Sequence, residues 1–146
     1  MGGELSEILH EVVVKERKLN LLYAALLKLD DLEPEDSGFY ERAKDEQDGG
    51  LELLQEISGK YCREQIDPGI LEKLGESLLQ LKSGRTDHEQ LLRQVLDFES
   101  ELVETYKHSL RFLTADDRTR KQVNRILTVK LTHKRDLLDK LGGLSG

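Results

Sequence analysis

The chain has 146 residues, enough for one domain whose buried core needs no disulfide or metal as a staple. Charged residues make up 35% and hydrophobic residues 37%, with two prolines and no tryptophan, a composition suited to long amphipathic helices. A formal net charge of −7 argues against nucleic-acid binding, which needs a concentrated basic surface, so the cluster Arg118, Arg120, Lys121 and Arg125 reads as a solvated helix face.

A first helix is predicted over about 5–29, with Leu5, Leu9, Val12, Leu19, Tyr23 and Leu26 on one stripe. It ends at Asp30 and Asp31, and Pro34 suits the first turn of the next helix. That second helix is expected over about 35–61, with Phe39, Ala43, Leu53 and Ile57 along one face. Gly49-Gly50 in its middle costs roughly 1 kcal/mol per glycine relative to alanine, so the pair calls for an explanation. Asp67-Pro68 opens a short helix over about 69–81, closed by Ser83-Gly84. Thr86 and Glu89 fit a capping box for a helix over about 87–113, striped by Leu92, Val95, Leu96, Leu102, Val103, Tyr106, Leu110 and Leu113. Thr114, with Asp116 and Asp117, is expected to cap a last helix over about 116–141, stopped by Gly142-Gly143.

Short, long, short connections between four long helices describe a bundle of two helical hairpins joined by one long crossover that carries the short helix. An up-down bundle with an inserted helix is the competing topology. Cys62 is alone, which excludes an intrachain disulfide and a cysteine-rich metal site. Met1 to Ser6 lack the pattern of a signal peptide, and no run approaches the ~18 uncharged apolar residues of a membrane span. A cytoplasmic protein with no membrane association is expected.

The informative feature is charge on the apolar stripes. Glu16 is framed by Val12, Val13, Leu19 and Tyr23, and Glu99 by Val95, Leu96, Leu102, Val103 and Tyr106. Glu46 lies on the line from Phe39 through Ala43 to Leu53, and Lys130 and His133 follow Val123, Ile126 and Leu127. Buried groups of this kind must be paired, protonated or bound to a metal. Spacing repeats too: Tyr23 follows Glu16 by seven residues and Tyr106 follows Glu99 by seven, as if two halves were offset by about 83 residues.

Glu-x6-Tyr on one helix and Phe-x3-Ala-x2-Glu-x2-His on the next occur twice in rubrerythrin-like members of the ferritin-like superfamily, which this chain resembles. Glu16 and Tyr23 match the first element, and Phe39, Ala43 and Glu46 the second, with Gly49 at the histidine position. In the second half Glu99, Tyr106 and His133 match, with Lys130 where a bridging glutamate is expected. The resemblance implies an all-α, ferritin-like four-helix bundle and a two-metal carboxylate site keeping four of six ligands: Glu16, Glu46, Glu99 and His133. The ammonium of Lys130 at a bridging position would repel both metals.

Three readings follow. In the first, Lys130 pairs with Glu16, Glu46 or Glu99, and the domain is a non-catalytic binding or regulatory scaffold, possessing no metal and serving a protein partner. In the second, Glu46, Glu99 and His133 hold one iron, manganese or zinc ion per chain, with Tyr23 and Tyr106 behind the ligands. In the third, Asp45, Asp48 or Glu52 substitutes for the missing histidine in a rubrerythrin-like oxidoreductase. His10, His88 and His108 fall off the stripes and read as surface residues. The leucines at 21–22, 26–27, 78–79 and 81 exceed one core stripe, from which a homodimer is expected.

Overall fold

The computed structural model describes residues 2–30, 32–62 and 88–145. Four helices run through them: α1 (Gly2–Leu27), α2 (Pro34–Tyr61), α3 (His88–Leu110) and α4 (Asp117–Ser145). The helix expected over 69–81, Thr86 of the capping box and the leucines at 78, 79 and 81 lie outside the described residues.

Side-chain contacts fix the helix directions. Asn20 on α1 donates to Gln47 on α2 at 2.9 Å, and Cys62 just past α2 approaches the Ser6 carbonyl at 3.8 Å. Late residues of one helix therefore meet early residues of the other, and α1 and α2 are antiparallel. Lys15 reaches Glu101 at 3.4 Å while Lys18 lies over the Phe98 ring, so α3 is antiparallel to α1. Lys60 pairs with Asp116 at 2.6 Å and Asp36 with Lys140 at 2.7 Å, so α4 is antiparallel to α2. Around the bundle, α1 packs on α2 and α3, and α4 packs on α3 but only thinly on α2.

Both α2 and α3 run opposite to α1 and are thus parallel to each other. Their starts share one end of the bundle, where Tyr40 Oη and His88 Nε2 lie 2.5 Å apart. Cys62 and His88 therefore lie at opposite ends of the bundle.

Leu5, Leu9, Val12, Leu19, Tyr23 and Leu26 are all buried, as the α1 stripe predicts. In α3, Leu92, Val95, Leu102, Val103 and Tyr106 are buried as well. Each such side chain contributes on the order of 1.5–3 kcal/mol by leaving water. The α2 stripe is rotated from the expected line: Tyr40, Ala43, Gln47, Leu51, Leu54 and Ile57 face the core, while Phe39 and Leu53 are half-buried. Rotation by one residue exchanges the charge of Glu46 for the amide of Gln47 in the interior, and burying an amide costs far less.

The start of α4 differs too. Asp116, rather than Thr114, is the cap: its Oδ1 accepts from the Thr119 amide at 3.1 Å, and its Oδ2 accepts from Lys60 and from the Tyr61 hydroxyl. These donors hold the Asp116 carboxyl well below the usual carboxylate range. The helix also runs past Gly142-Gly143 to Ser145, because glycine disfavours a helix without forbidding it. Among the described residues no helix is long and apolar enough to cross a membrane.

Candidate functional site

Mid-bundle, five polar side chains are buried together: Glu16 (α1), Gln47 (α2), Glu99 (α3), and Lys130 and His133 (α4). Lys130 is the centre. Its Nζ lies 2.6 Å from Glu16 Oε1 and 3.0 Å from Glu99 Oε1, and all three side chains are at most 3% exposed. Burial alone would depress the Lys130 ammonium, but the Glu16 and Glu99 carboxylates outweigh it and hold its pKa above the ordinary lysine value. Burial likewise works against the Glu99 anion, and Lys130 and His133 together keep its pKa below the ordinary glutamate value.

The remaining lone pairs are used. Tyr106 Oη donates to Glu16 Oε2 at 2.6 Å. Gln47 Nε2 donates to the Glu16 main-chain oxygen at 2.7 Å, and Gln47 Oε1 accepts from Asn20. His133 Nδ1 lies 3.0 Å from Glu99 Oε2. An ionised carboxylate only accepts, so Nδ1 carries a proton toward Glu99. Burial, and then Glu16, push the Tyr106 phenol well above its usual pKa; burial followed by Glu99 and Glu16 does the same to Tyr23. Tyr23 meets the His133 ring edge-on at a 6.3 Å centroid distance, with its buried hydroxyl close to the Glu99 carboxylate.

Glu46 stands apart. Its side chain is 51% exposed, with Oε2 3.3 Å from His133 Nε2, within ion-pairing distance but outside hydrogen-bond geometry. Glu46 and Glu99 therefore address opposite nitrogens of one imidazole. The structure brings Glu16, Glu99, Lys130, His133, Tyr23 and Tyr106 together and leaves Glu46 at the edge. Asp48 turns outward to Asn20 and Lys44, and Asp45 and Glu52 are exposed.

Where α2 and α4 pack thinly, a pocket of about 400 Å³ opens onto this network. Gly49, Gly50 and Leu53 form one wall, Ile126 and Val129 the other, and Glu46, Arg125 and His133 supply polar groups. The glycine pair does not serve close helix packing: a Cβ at Gly49 would meet nothing within 4 Å, and one at Gly50 would make ordinary contact with Ile126 at 3.9 Å.

No protein-family model, curated protein or solved structure matches the chain.

The donor set does not fit a two-metal centre. The point between the Glu16 and Glu99 carboxylates is taken by the Lys130 ammonium, and the imidazole proton faces Glu99. Among the described residues no group of three or more histidine, cysteine, aspartate or glutamate side chains is arranged to hold a metal ion. Lys130, held as an ammonium, is not a nucleophile, and both tyrosines stay protonated. His133 Nε2 is buried and makes no hydrogen bond, its near neighbour being Glu46 Oε2 at 3.3 Å. Asn20 and Gln47 are members of the network that sequence reasoning missed, and the signal for Gln47 was its place four residues after Ala43 on the Tyr40 line.

Proposed function

We propose that this chain is a ferritin-like helical scaffold in which a lysine-centred polar network stands in for a two-metal carboxylate site, and that it works by binding rather than by catalysis. The observation that carries this reading is the seat of Lys130 Nζ, 2.6 and 3.0 Å from two buried carboxylates that the resemblance would assign to metals. A cation supplied by the chain pairs with both acids and offsets one of their two charges without an exogenous ion. The parallel run of α2 and α3 and the order of helices around the bundle support the ferritin-like reading, as does the common depth of Glu16, Glu99, Lys130 and His133.

A second reading, one metal per chain at His133, is favoured by the unpartnered Nε2 and by Glu46 Oε2 at 3.3 Å. It would leave Glu99 on the far nitrogen and so supply two protein ligands where three are usual. Thermal unfolding with and without chelator separates the two. The scaffold reading expects coincident melting curves, and a melting temperature that falls in chelator and returns with added zinc or ferrous iron favours the metal.

A further inference from the structure

Among the described residues, the outer face along the α2–α4 seam is the part of the bundle where packing is thinnest. Leu53 and Val129 lie half-buried beside the pocket and Gly49 is exposed, so the centre of this face is apolar and low. With 28 residues in α2 at ~1.5 Å each and two helices ~20 Å wide, the face covers about 800 Å², the area each partner buries in a standard interface.

The two helices that border it carry opposite charge. Eight acidic and three basic side chains lie on α2, and eight basic and three acidic ones on α4. Contacts between the helices fix which residues share a height: Lys60 meets Asp116, Gly50 faces Ile126, Glu46 faces His133, and Asp36 meets Lys140. Glu52 and Glu56 therefore stand level with Lys121 and Arg125. Toward the other end the signs invert, and Arg42 stands level with Asp136. Glu52, Glu56, Lys121 and Arg125 are all exposed, and none enters an ion pair with another described residue. Each chain thus presents two complementary edges that it does not use itself.

We propose that this face binds a second copy of the chain about a two-fold axis parallel to the bundle. That rotation keeps every residue at its own height and lays α2 of each copy on α4 of its partner. Glu52 and Glu56 then meet Lys121 and Arg125 of the partner subunit, and Arg42 meets the partner's Asp136. A two-fold axis across the bundle would instead set acidic α2 on acidic α2 and basic α4 on basic α4, and like charges brought together oppose association. Leu53 and Val129 of both copies close the centre, giving an apolar core inside a charged rim. The contact is isologous, so it ends at a dimer and does not propagate into a filament. This inference stands apart from the metal-free reading, because none of these residues belongs to the buried network.

Sedimentation equilibrium of the full chain tests it. At about 100 µM protein in ~50 mM salt the wild type is expected at twice the chain mass of 16.7 kDa, shifting toward monomer in ~500 mM salt as the charges are screened. Two charge-reversed variants decide the pairing: Glu52→Lys with Glu56→Lys on α2, and Lys121→Glu with Arg125→Glu on α4. Alone, each sets like charges against each other and should weaken the dimer about a hundredfold. Mixed in equal amounts they should dimerise again, because both α2–α4 contacts of the mixed pair join opposite charges. Circular dichroism melting shows that both variants are folded. A wild type that stays monomeric at about 100 µM overturns the inference and leaves the face to another occupant. Either variant dimerising as tightly as wild type puts the interface elsewhere and also overturns it, as does a mixture of folded variants that stays monomeric.

Discussion

Lys130→Met is the substitution that most directly exposes what the buried network does for stability. Methionine fills much of the lysine volume but removes the charge that lies 2.6 and 3.0 Å from two carboxylates. Both glutamates would remain in the interior with their other partners, Tyr106 and Gln47 for Glu16 and His133 for Glu99. Breaking a buried pair by removing one partner costs about 3–5 kcal/mol. Because the surviving donors retain part of the compensation, a loss of about 3 kcal/mol is expected near neutral pH. That is a large share of the ~5–15 kcal/mol that holds a typical domain together. Urea unfolding followed by circular dichroism at pH 7 measures it. Adding Glu16→Gln and Glu99→Gln to the same protein removes the uncompensated charges and should recover most of the loss. A single variant within 1 kcal/mol of wild type would refute the claim that the ammonium stabilises these buried acids.

Other outcomes follow from the same geometry. The Glu99 pKa is depressed from an ordinary 4.5, so its contribution is present above that value and lost as pH falls through the folded-state pKa; acid unfolding should begin below about pH 4.5 and be blunted in Glu99→Gln. The Lys130 pKa is raised above 10.5, so its contribution holds below that value and is lost as pH climbs through the folded-state pKa, which a base titration of the melting temperature would show. Tyr106→Phe removes the donor to a buried carboxylate and should cost about 1.5–3 kcal/mol by urea unfolding. Gly49→Ala with Gly50→Ala should stabilise the protein by about 1–2 kcal/mol, since neither Cβ meets a close neighbour and alanine is the better helix former.

Three of the four helix faces were legible because their apolar residues recur at spacings of three and four, with few competing positions. Leu9, Val12, Leu19 and Tyr23 in α1, and Leu92, Val95, Leu102 and Tyr106 in α3, leave one way to turn the helix. The second helix offered two. Phe39 and Tyr40 are adjacent anchors, as are Leu53 and Leu54, and the lines through them differ by one residue. The choice was made by tertiary contacts that periodicity does not contain: Gln47 reaches the Glu16 carbonyl and Asn20. Glu46 therefore ended at the rim, and the sequence-level ligand set lost its second-helix member.

The depth of Glu16, Glu99, Lys130 and His133 could be inferred from sequence because each interrupts an otherwise apolar stripe. Which carboxylates Lys130 would pair with was open among Glu16, Glu46 and Glu99. The answer depends on which helices are neighbours and on the α2 rotation. The pocket had a sequence trace in Gly49-Gly50, but its meaning required the opposite wall, Ile126 and Val129 on α4. The cap of α4 shows the same dependence: Thr114 and Asp116 are both good capping residues, and Lys60 and Tyr61, distant in sequence, meet Asp116.

Metal content tests the central claim most directly. Wild type and His133→Ala would be measured by inductively coupled plasma mass spectrometry, as purified and after anaerobic loading with ferrous iron. The metal-free reading predicts no stoichiometric metal in either protein under either condition. About one tightly held ion per chain, lost in His133→Ala, would contradict it, and two per chain would mean that Lys130 yields its seat between Glu16 and Glu99.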